Sequence, residues 1–147
     1  MTPYFDLGFL LALLVKSPAR RVAWEITNRF SPPYRLNFLQ ELQTENGFTR
    51  QLTTQRADVQ EIGTQGLRLW NQYLDEGVFH VTSEEWDTAF RLAIGWNRNL
   101  TRNVPATTFI LHPALASASG ATHFLSFQSE SRQVARTAGL KLLPERL

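Results

Sequence analysis

The sequence predicts a three-layer α/β domain with a mainly parallel central sheet. Short apolar segments of strand length alternate with longer segments of helical length, which is the pattern of parallel β-α units. The length of 147 residues is that of one domain and suffices for a buried core, to which four Trp and ten Phe contribute large side chains. We therefore expect residues 1–147 to form a single domain.

The composition excludes several classes of protein. The chain has no cysteine, which rules out a disulfide scaffold, a thiol nucleophile and a thiolate metal site. Charged residues make up only 19%, which argues against a long disordered tail. The net charge of +2 supports nucleic-acid binding only weakly. The apolar run from Phe9 to Val15 is far shorter than the ~20 residues of a membrane span, so we expect a cytoplasmic protein with no membrane partner.

The first half of the chain contains signals for three strands and four helices. Ser17 is a good N-cap, and Pro18 suits the first position of the helix that follows it. The predicted strands are Pro3–Asp6, Tyr34–Asn37 and Val78–Val81. The predicted helices are Leu7–Val15, Pro18–Phe30, Phe38–Leu52 and one from Thr54 to just before Gly77.

The second half continues the alternation after a helix predicted from Ser83 to about Trp96. A polar and basic loop, 97–105, separates it from a helix that begins at Thr107 or near Pro113 and ends at Ser119. An interior proline costs ~3 kcal/mol, so we expect this helix to begin near His112. The remaining predicted elements are a strand at Phe124–Phe127, a helix at Ser129–Ala138 closed by Gly139, and a strand at Leu140–Leu143.

Two polar residues follow apolar strands at the place where parallel α/β folds form their sites. Asp6 ends the first strand and Gln128 follows the strand at Phe124–Phe127. Sites in such folds lie beyond the carboxyl ends of the strands. The bare pattern also allows Asp6 to be a capping acid at the start of the next helix.

The segments around these residues resemble a known family. The start, PYFDLGFLLALL, and the end, GATHFLSFQSESRQVARTAGLKLLP, resemble the first and last active-site strands of the PIN domain, the metal-dependent ribonuclease fold of VapC-type toxins. The resemblance implies a PIN-like fold from Pro3 to Pro144. It also implies a site in which four acids hold Mg²⁺ or Mn²⁺, hard ions that prefer charged oxygen ligands and activate water for attack on a phosphodiester.

The resemblance places only one acid at the four metal positions. The first position is Asp6, and the other three carry Gln43, Phe109 and Gln128. A nominal site charge of −4 thus falls to −1, so we expect no metal cofactor and a non-catalytic protein that retains Asp6 as a vestige. The alternative is an active Mg²⁺- or Mn²⁺-dependent endoribonuclease, the toxin of a toxin–antitoxin pair, in which a shifted helix register adds Glu41 or Glu45 to Asp6.

The expected partners follow from the same resemblance. Family members commonly form homodimers, and a protein without nuclease activity would act by binding an antitoxin-like protein or RNA. Arg98 and Arg102, together with Trp96, offer phosphate contacts and a stacking face for an RNA groove. The competing interpretation is a solvated loop beside a core tryptophan.

Overall fold

The computed structural model describes residues 1–100 and 104–146 as a mixed α/β structure. Strands and helices alternate as the sequence predicts, and every strand pairing among these residues is parallel. The strands are β1 (Pro3–Phe5), β2 (Tyr34–Asn37), β3 (Phe79–Thr82), β4 (His123–Leu125) and β5 (Lys141–Leu143). The helices are α1 (Leu7–Leu14), α2 (Pro18–Thr27), α3 (Phe38–Leu52), α4 (Ala57–Asp75), α5 (Trp86–Asn99), α6 (Thr107–Ala118) and α7 (Ser129–Thr137).

The chain divides into two compact units. Unit 1 combines Met1–Asp6 with the chain from Ser83 onward, and unit 2 is the continuous segment Leu7–Thr82. The α/β class is confirmed. The three-layer arrangement around one central sheet and the organisation as a single domain stay predictions.

The sheet of unit 1 has the order β1-β4-β5. Phe5 is paired with Leu125, and Leu125 with Leu143, so β4 is the central strand. The side chains on both of its faces are buried. Such burial explains why Phe124 and Leu125 of this strand are apolar. Because the strands are parallel, the residues that follow them, Asp6 and Ser126, leave the sheet at the same edge.

The start of helix α6 differs from the predicted one. The helix begins at Thr107, not near His112, and Pro113 lies inside it. Proline lacks the amide hydrogen that would donate to the carbonyl four residues earlier, which is the basis of its penalty. The residues around Pro113 are buried along most of the helix, so packing outweighs that penalty: the buried set is Ile110, His112, Pro113, Ala114, Leu115 and Ala116.

In unit 2, the pair β2–β3 is flanked by α3 and α4. Helix α3 has the predicted bounds, and it begins at Phe38 because Asn37 caps it: the Asn37 side chain accepts from the Gln40 amide at 2.9 Å, and the Gln40 side chain accepts from the Asn37 amide at 2.7 Å. Helices α3 and α4 pack closely where Phe48 meets Gly66. A Cβ atom added at Gly66 would lie 2.2 Å from Phe48 Cε1, so only glycine fits there.

Several predicted ends are displaced by a few residues. Helix α4 begins at Ala57 instead of Thr54, whose hydroxyl donates to the Gln51 carbonyl at 3.0 Å. Helix α5 begins at Trp86 instead of Ser83, and α2 ends at Thr27 instead of Phe30. Among the described residues, none of the helices combines the length and the apolar character that crossing a membrane requires.

Candidate functional site

Asp6 is a buried carboxylate at the carboxyl end of β1. Its side chain is only 3% exposed, and its backbone amide donates to the Leu125 carbonyl at 2.9 Å. The Ser126 hydroxyl donates to Asp6 Oδ2. A buried carboxylate needs such donors because burial without them costs several kcal/mol. The structure therefore places Asp6 at the sheet edge that the sequence predicts and gives it a hydroxyl partner from β4's end.

Ser126 also shapes the turn that leads to Gln128. The Gln128 amide donates to Ser126 Oγ at 2.9 Å, and the Ser126 amide donates to the Leu143 carbonyl at 3.0 Å. Ser126 itself is fully buried. The hydroxyl thus joins the carboxylate of one strand end to the backbone of the next, and it is shielded from any substrate.

Gln128 occupies the N-cap position of α7 but makes no side-chain capping bond to that helix. Its side-chain amide donates instead to the carboxylate of Glu130, which also accepts from the Ser129 hydroxyl at 2.9 Å. The Glu130 backbone amide, Ser129 and Gln128, in that order, hold the pKa of this exposed carboxyl below its ordinary value. At the fourth predicted metal position the chain therefore presents a neutral amide engaged with a neighbouring acid.

Arg132 connects the backbone that follows β4 to the backbone that follows β5. Its side chain is 5% exposed and donates to two carbonyls, Ser126 O at 2.9 Å and Pro144 O at 2.7 Å. Burial lowers the pKa of its guanidinium, the charge of Arg136 lowers it further, and the charge of Asp6 opposes both. A guanidinium suits this position because its fixed fork of donors can serve two acceptors.

Phe109, at the third predicted metal position, is the third residue of α6 and is half-buried. A phenyl ring offers no ligand atom for a cation. Further along α6, His112 is 2% exposed, and its Nδ1 lies 2.9 Å from the Tyr4 hydroxyl of β1. The Tyr4 ring stacks on Phe124 at 5.8 Å. His112 therefore anchors α6 to the sheet.

Gln43, at the second predicted metal position, belongs to unit 2 and is half-buried on α3. The two acids of the alternative hypothesis differ in their surroundings. Glu41 lies in the first turn of α3, where the helix dipole favours an acid. The carboxylate of Glu45 accepts from Trp70 Nε1 at 3.2 Å, so within unit 2 this acid already has a partner.

The predicted RNA-groove residues are only partly described. Arg98 is exposed in the last turn of α5, whereas Arg102 lies outside the described residues. Trp96 is half-buried and lines a cavity of about 370 Å³ with residues of α7. The cavity walls include the acid Glu130 and the amide of Gln133, and no cation of the described chain. One acid without a cation does not attract phosphate, so this cavity gives no support to an RNA groove, and Arg98 lines a different groove, between α5 and α6.

The candidate site of unit 1 brings together one carboxylate, one hydroxyl and one guanidinium. Across the described ranges, no group of three or more His, Cys, Asp or Glu side chains is placed to hold a metal ion. These contacts hold the ends of β1 and β4 and the start of α7 in fixed positions.

Ser126 and Arg132 are the site residues that sequence reasoning did not single out. The sequence contains a signal for Ser126, because Ser126 directly follows β4 as Asp6 directly follows β1. Since Phe5 pairs with Leu125 in parallel strands, the residues that follow them lie side by side. Arg132 had no comparable signal, since its role depends on where the chain runs after β5. Comparison of the sequence with models of known protein families and with curated proteins finds no match. The resemblance to the PIN domain therefore stays a prediction.

Proposed function

We propose that this chain is a PIN-like protein that has lost the metal-dependent nuclease activity of VapC-type toxins and acts by binding a protein partner or RNA. The observation that carries the proposal is the pairing of Asp6 with the Ser126 hydroxyl, beside an amide at Gln128. Where the resemblance implies a cluster of repelling acids, a single carboxylate is stabilised by a neutral donor.

The electrostatics of the strand ends support this proposal. Clustered carboxylates bind a divalent cation because their combined charge repays the ion's lost hydration. Amide oxygens are weak ligands without charge, and Phe109 supplies no ligand at all. Glu130 is the nearest acid in sequence to Gln128, and its carboxylate is occupied by two donors. The proposed role therefore requires no resident metal.

Titration with Mn²⁺ tests the proposal. We expect isothermal titration of the wild type to show no saturable binding, with Asp6→Ala as its matched control. We also expect no Mn²⁺-dependent cleavage of single-stranded RNA. Cleavage that is abolished both by Asp6→Asn and by a chelator would overturn the proposal in favour of the active ribonuclease.

The variant Phe109→Asp/Gln128→Asp provides the positive arm. It restores two acids to unit 1, so repulsion with Asp6 should lower the melting temperature without metal, and Mn²⁺ should raise it again. Adding Asp6→Asn to this variant should remove the response to Mn²⁺. A response that persists without Asp6, or none in the restored variant, would mean that these residues do not occupy equivalent positions.

A further inference from the structure

The cavity of about 370 Å³ beside Trp96 lies between the end of α5 and helix α7, both of which pack against α6. Helix α7 lines it with the face that runs from Glu130 to Thr137, two residues that lie nearly two helical turns apart. The end of α5 contributes Trp96 and Leu100, and Pro105 also lines the cavity. A volume of this size lies within the range of small-molecule sites, roughly 300–1,000 Å³.

Glu130 is the only charged side chain among the described residues that line this cavity. Its own backbone amide, Ser129 and Gln128 hold the pKa of its carboxyl below the ordinary value, so the group is ionised at neutral pH. Both side-chain donors reach the same oxygen, Oε2, and a carboxylate has about four acceptor sites, so a further donor can bind. The cationic neighbours of Glu130 on α7, Arg132 and Arg136, line a different recess.

Trp96 and the apolar part of the wall fit the remainder of a cationic ligand. An indole ring attracts a cation over its face more strongly than other aromatic side chains do. Leu100 and Val134 offer apolar contact to alkyl groups. The charge of Glu130 would repel an anion, and a neutral apolar ligand would displace water from that carboxylate without replacing its hydrogen bonds. The ligand that matches all parts of the wall is therefore a cation with an alkyl group.

We infer that this cavity is a binding site for a small alkylammonium ion, whose nitrogen binds Glu130 and whose alkyl group contacts Trp96 and Leu100. The inference goes beyond the function proposed above, because it involves no metal, RNA or protein partner, and either can fail alone. One ion pair and one cation–π contact in an open site contribute little each, so we expect a dissociation constant of millimolar order. Glu130 also stabilises the start of α7 through the helix dipole, a role that needs no ligand.

Titration of the full chain with butylammonium, followed by NMR, tests the site. The chain has four tryptophans, and Trp96→Phe identifies the indole N–H signal that belongs to Trp96. This signal should shift saturably with butylammonium at constant ionic strength. Butanol, which has the same alkyl chain and no charge, should bind at least tenfold more weakly. Equal binding of the two, or no saturable shift up to about 100 mM butylammonium, would overturn the inference.

The variant Glu130→Gln separates ligand binding from the role at the helix start. It keeps the size of the side chain and removes its charge, so butylammonium should bind at least tenfold more weakly and butanol as before. Asp87→Asn is the matched control, since Asp87 is an exposed acid in the first turn of α5 and does not line the cavity. It should bind butylammonium like the wild type. Binding that survives Glu130→Gln, or falls equally in Asp87→Asn, would show that Glu130 does not hold the ion.

Arg102 lies in the sequence between Leu100 and Pro105 but outside the described residues. The titration is therefore repeated with Arg102→Gln, which removes a positive charge and should bind butylammonium at least as tightly as the wild type. Weaker binding by this variant would count against a cationic ligand. Unfolding curves of all the variants show whether each is folded under the conditions of the titration.

Discussion

The burial of His112 shows how a single residue couples stability to pH. Burial lowers the pKa of His112 to about 4, because the site stabilises the neutral ring. In the unfolded chain a histidine titrates near pH 6.5. Since the unfolded state then binds the proton more tightly, this contribution to stability is complete above about pH 6.5 and is lost progressively as pH falls toward 4.

We predict that acidification from pH 7 to pH 4 lowers the free energy of unfolding by about 3 kcal/mol through His112 alone. His112→Gln should be less stable than the wild type at pH 7, because the Tyr4 hydroxyl loses its fitted partner. Its stability should nevertheless fall less steeply with acid. Urea unfolding of both proteins at several pH values measures the two slopes, and equal slopes would contradict the assignment.

Residue roles at the candidate site were predictable to the extent that they depend on local sequence. Asp6 directly follows its strand, as predicted, because an apolar run that ends in a polar residue is a local pattern, whereas β4 ends at Leu125 and not at Phe127, so Gln128 lies three residues beyond it. The contact of Asp6 with Ser126 required the pairing of two strands 120 residues apart. Arg132 required, in addition, the position of Pro144, which no periodicity in the sequence indicates.

At the scale of elements, α3 and α4 are held together by the close approach of Phe48 to two glycines. A Cβ atom at Gly66 would overlap the Phe48 ring, and one at Gly63 would lie 2.8 Å from the Phe48 carbonyl oxygen. Phe48 is 1% exposed, so its ring has little room to turn aside. The helix pair therefore depends on the absence of side chains at these positions.

Gly66→Ala should destabilise the protein by about 2 kcal/mol, because overpacking exceeds the gain in helix propensity. Gly47→Ala on α3 is the matched control: a Cβ there meets nothing within 4 Å, so alanine should stabilise by about 0.5–1 kcal/mol. Thermal or urea unfolding measures both. A Gly66→Ala protein as stable as Gly47→Ala would show that Phe48 can move.

The starts of α3 and α6 differ in how far local sequence determines them. The boundary between β2 and α3 follows from the cap at Asn37, a signal contained within four residues. The start of α6 was misjudged because the cost of Pro113 is local, whereas its compensation comes from burial against other elements. Burial of that kind is a property of the tertiary structure, and the sequence indicates it only through the high apolar content of the segment.

At the scale of the whole molecule, the division into two compact units implies that unfolding of the sheet in unit 1 need not unfold unit 2. Strand β5 lies at the edge of the β1-β4-β5 sheet, and Leu143 and Pro144 accept hydrogen bonds from Ser126 and Arg132. The contacts that define unit 2 are made within Leu7–Thr82. Loss of β5 should thus weaken unit 1 first.

We predict that a chain ending at Leu140 loses amide protection in β1 and β4, while α3 and α4 of unit 2 keep theirs. A chain ending at Glu145 is the matched control, because it retains β5 and the Pro144 carbonyl and should behave like the full protein. Hydrogen exchange followed by mass spectrometry distinguishes the units. Equal loss across both would show that they unfold together.

The pairing of β1 with β4 also has a consequence for synthesis on the ribosome. Strand β1, Pro3–Phe5, cannot form its pairing with β4 until His123–Leu125 has been translated. The continuous segment Leu7–Thr82 has all of its own strand and helix partners much earlier, and domains generally fold as they emerge. Strand β1 therefore lacks its β4 partner while the segment between the two strands is translated, and the Ser126 hydroxyl can reach Asp6 only after that.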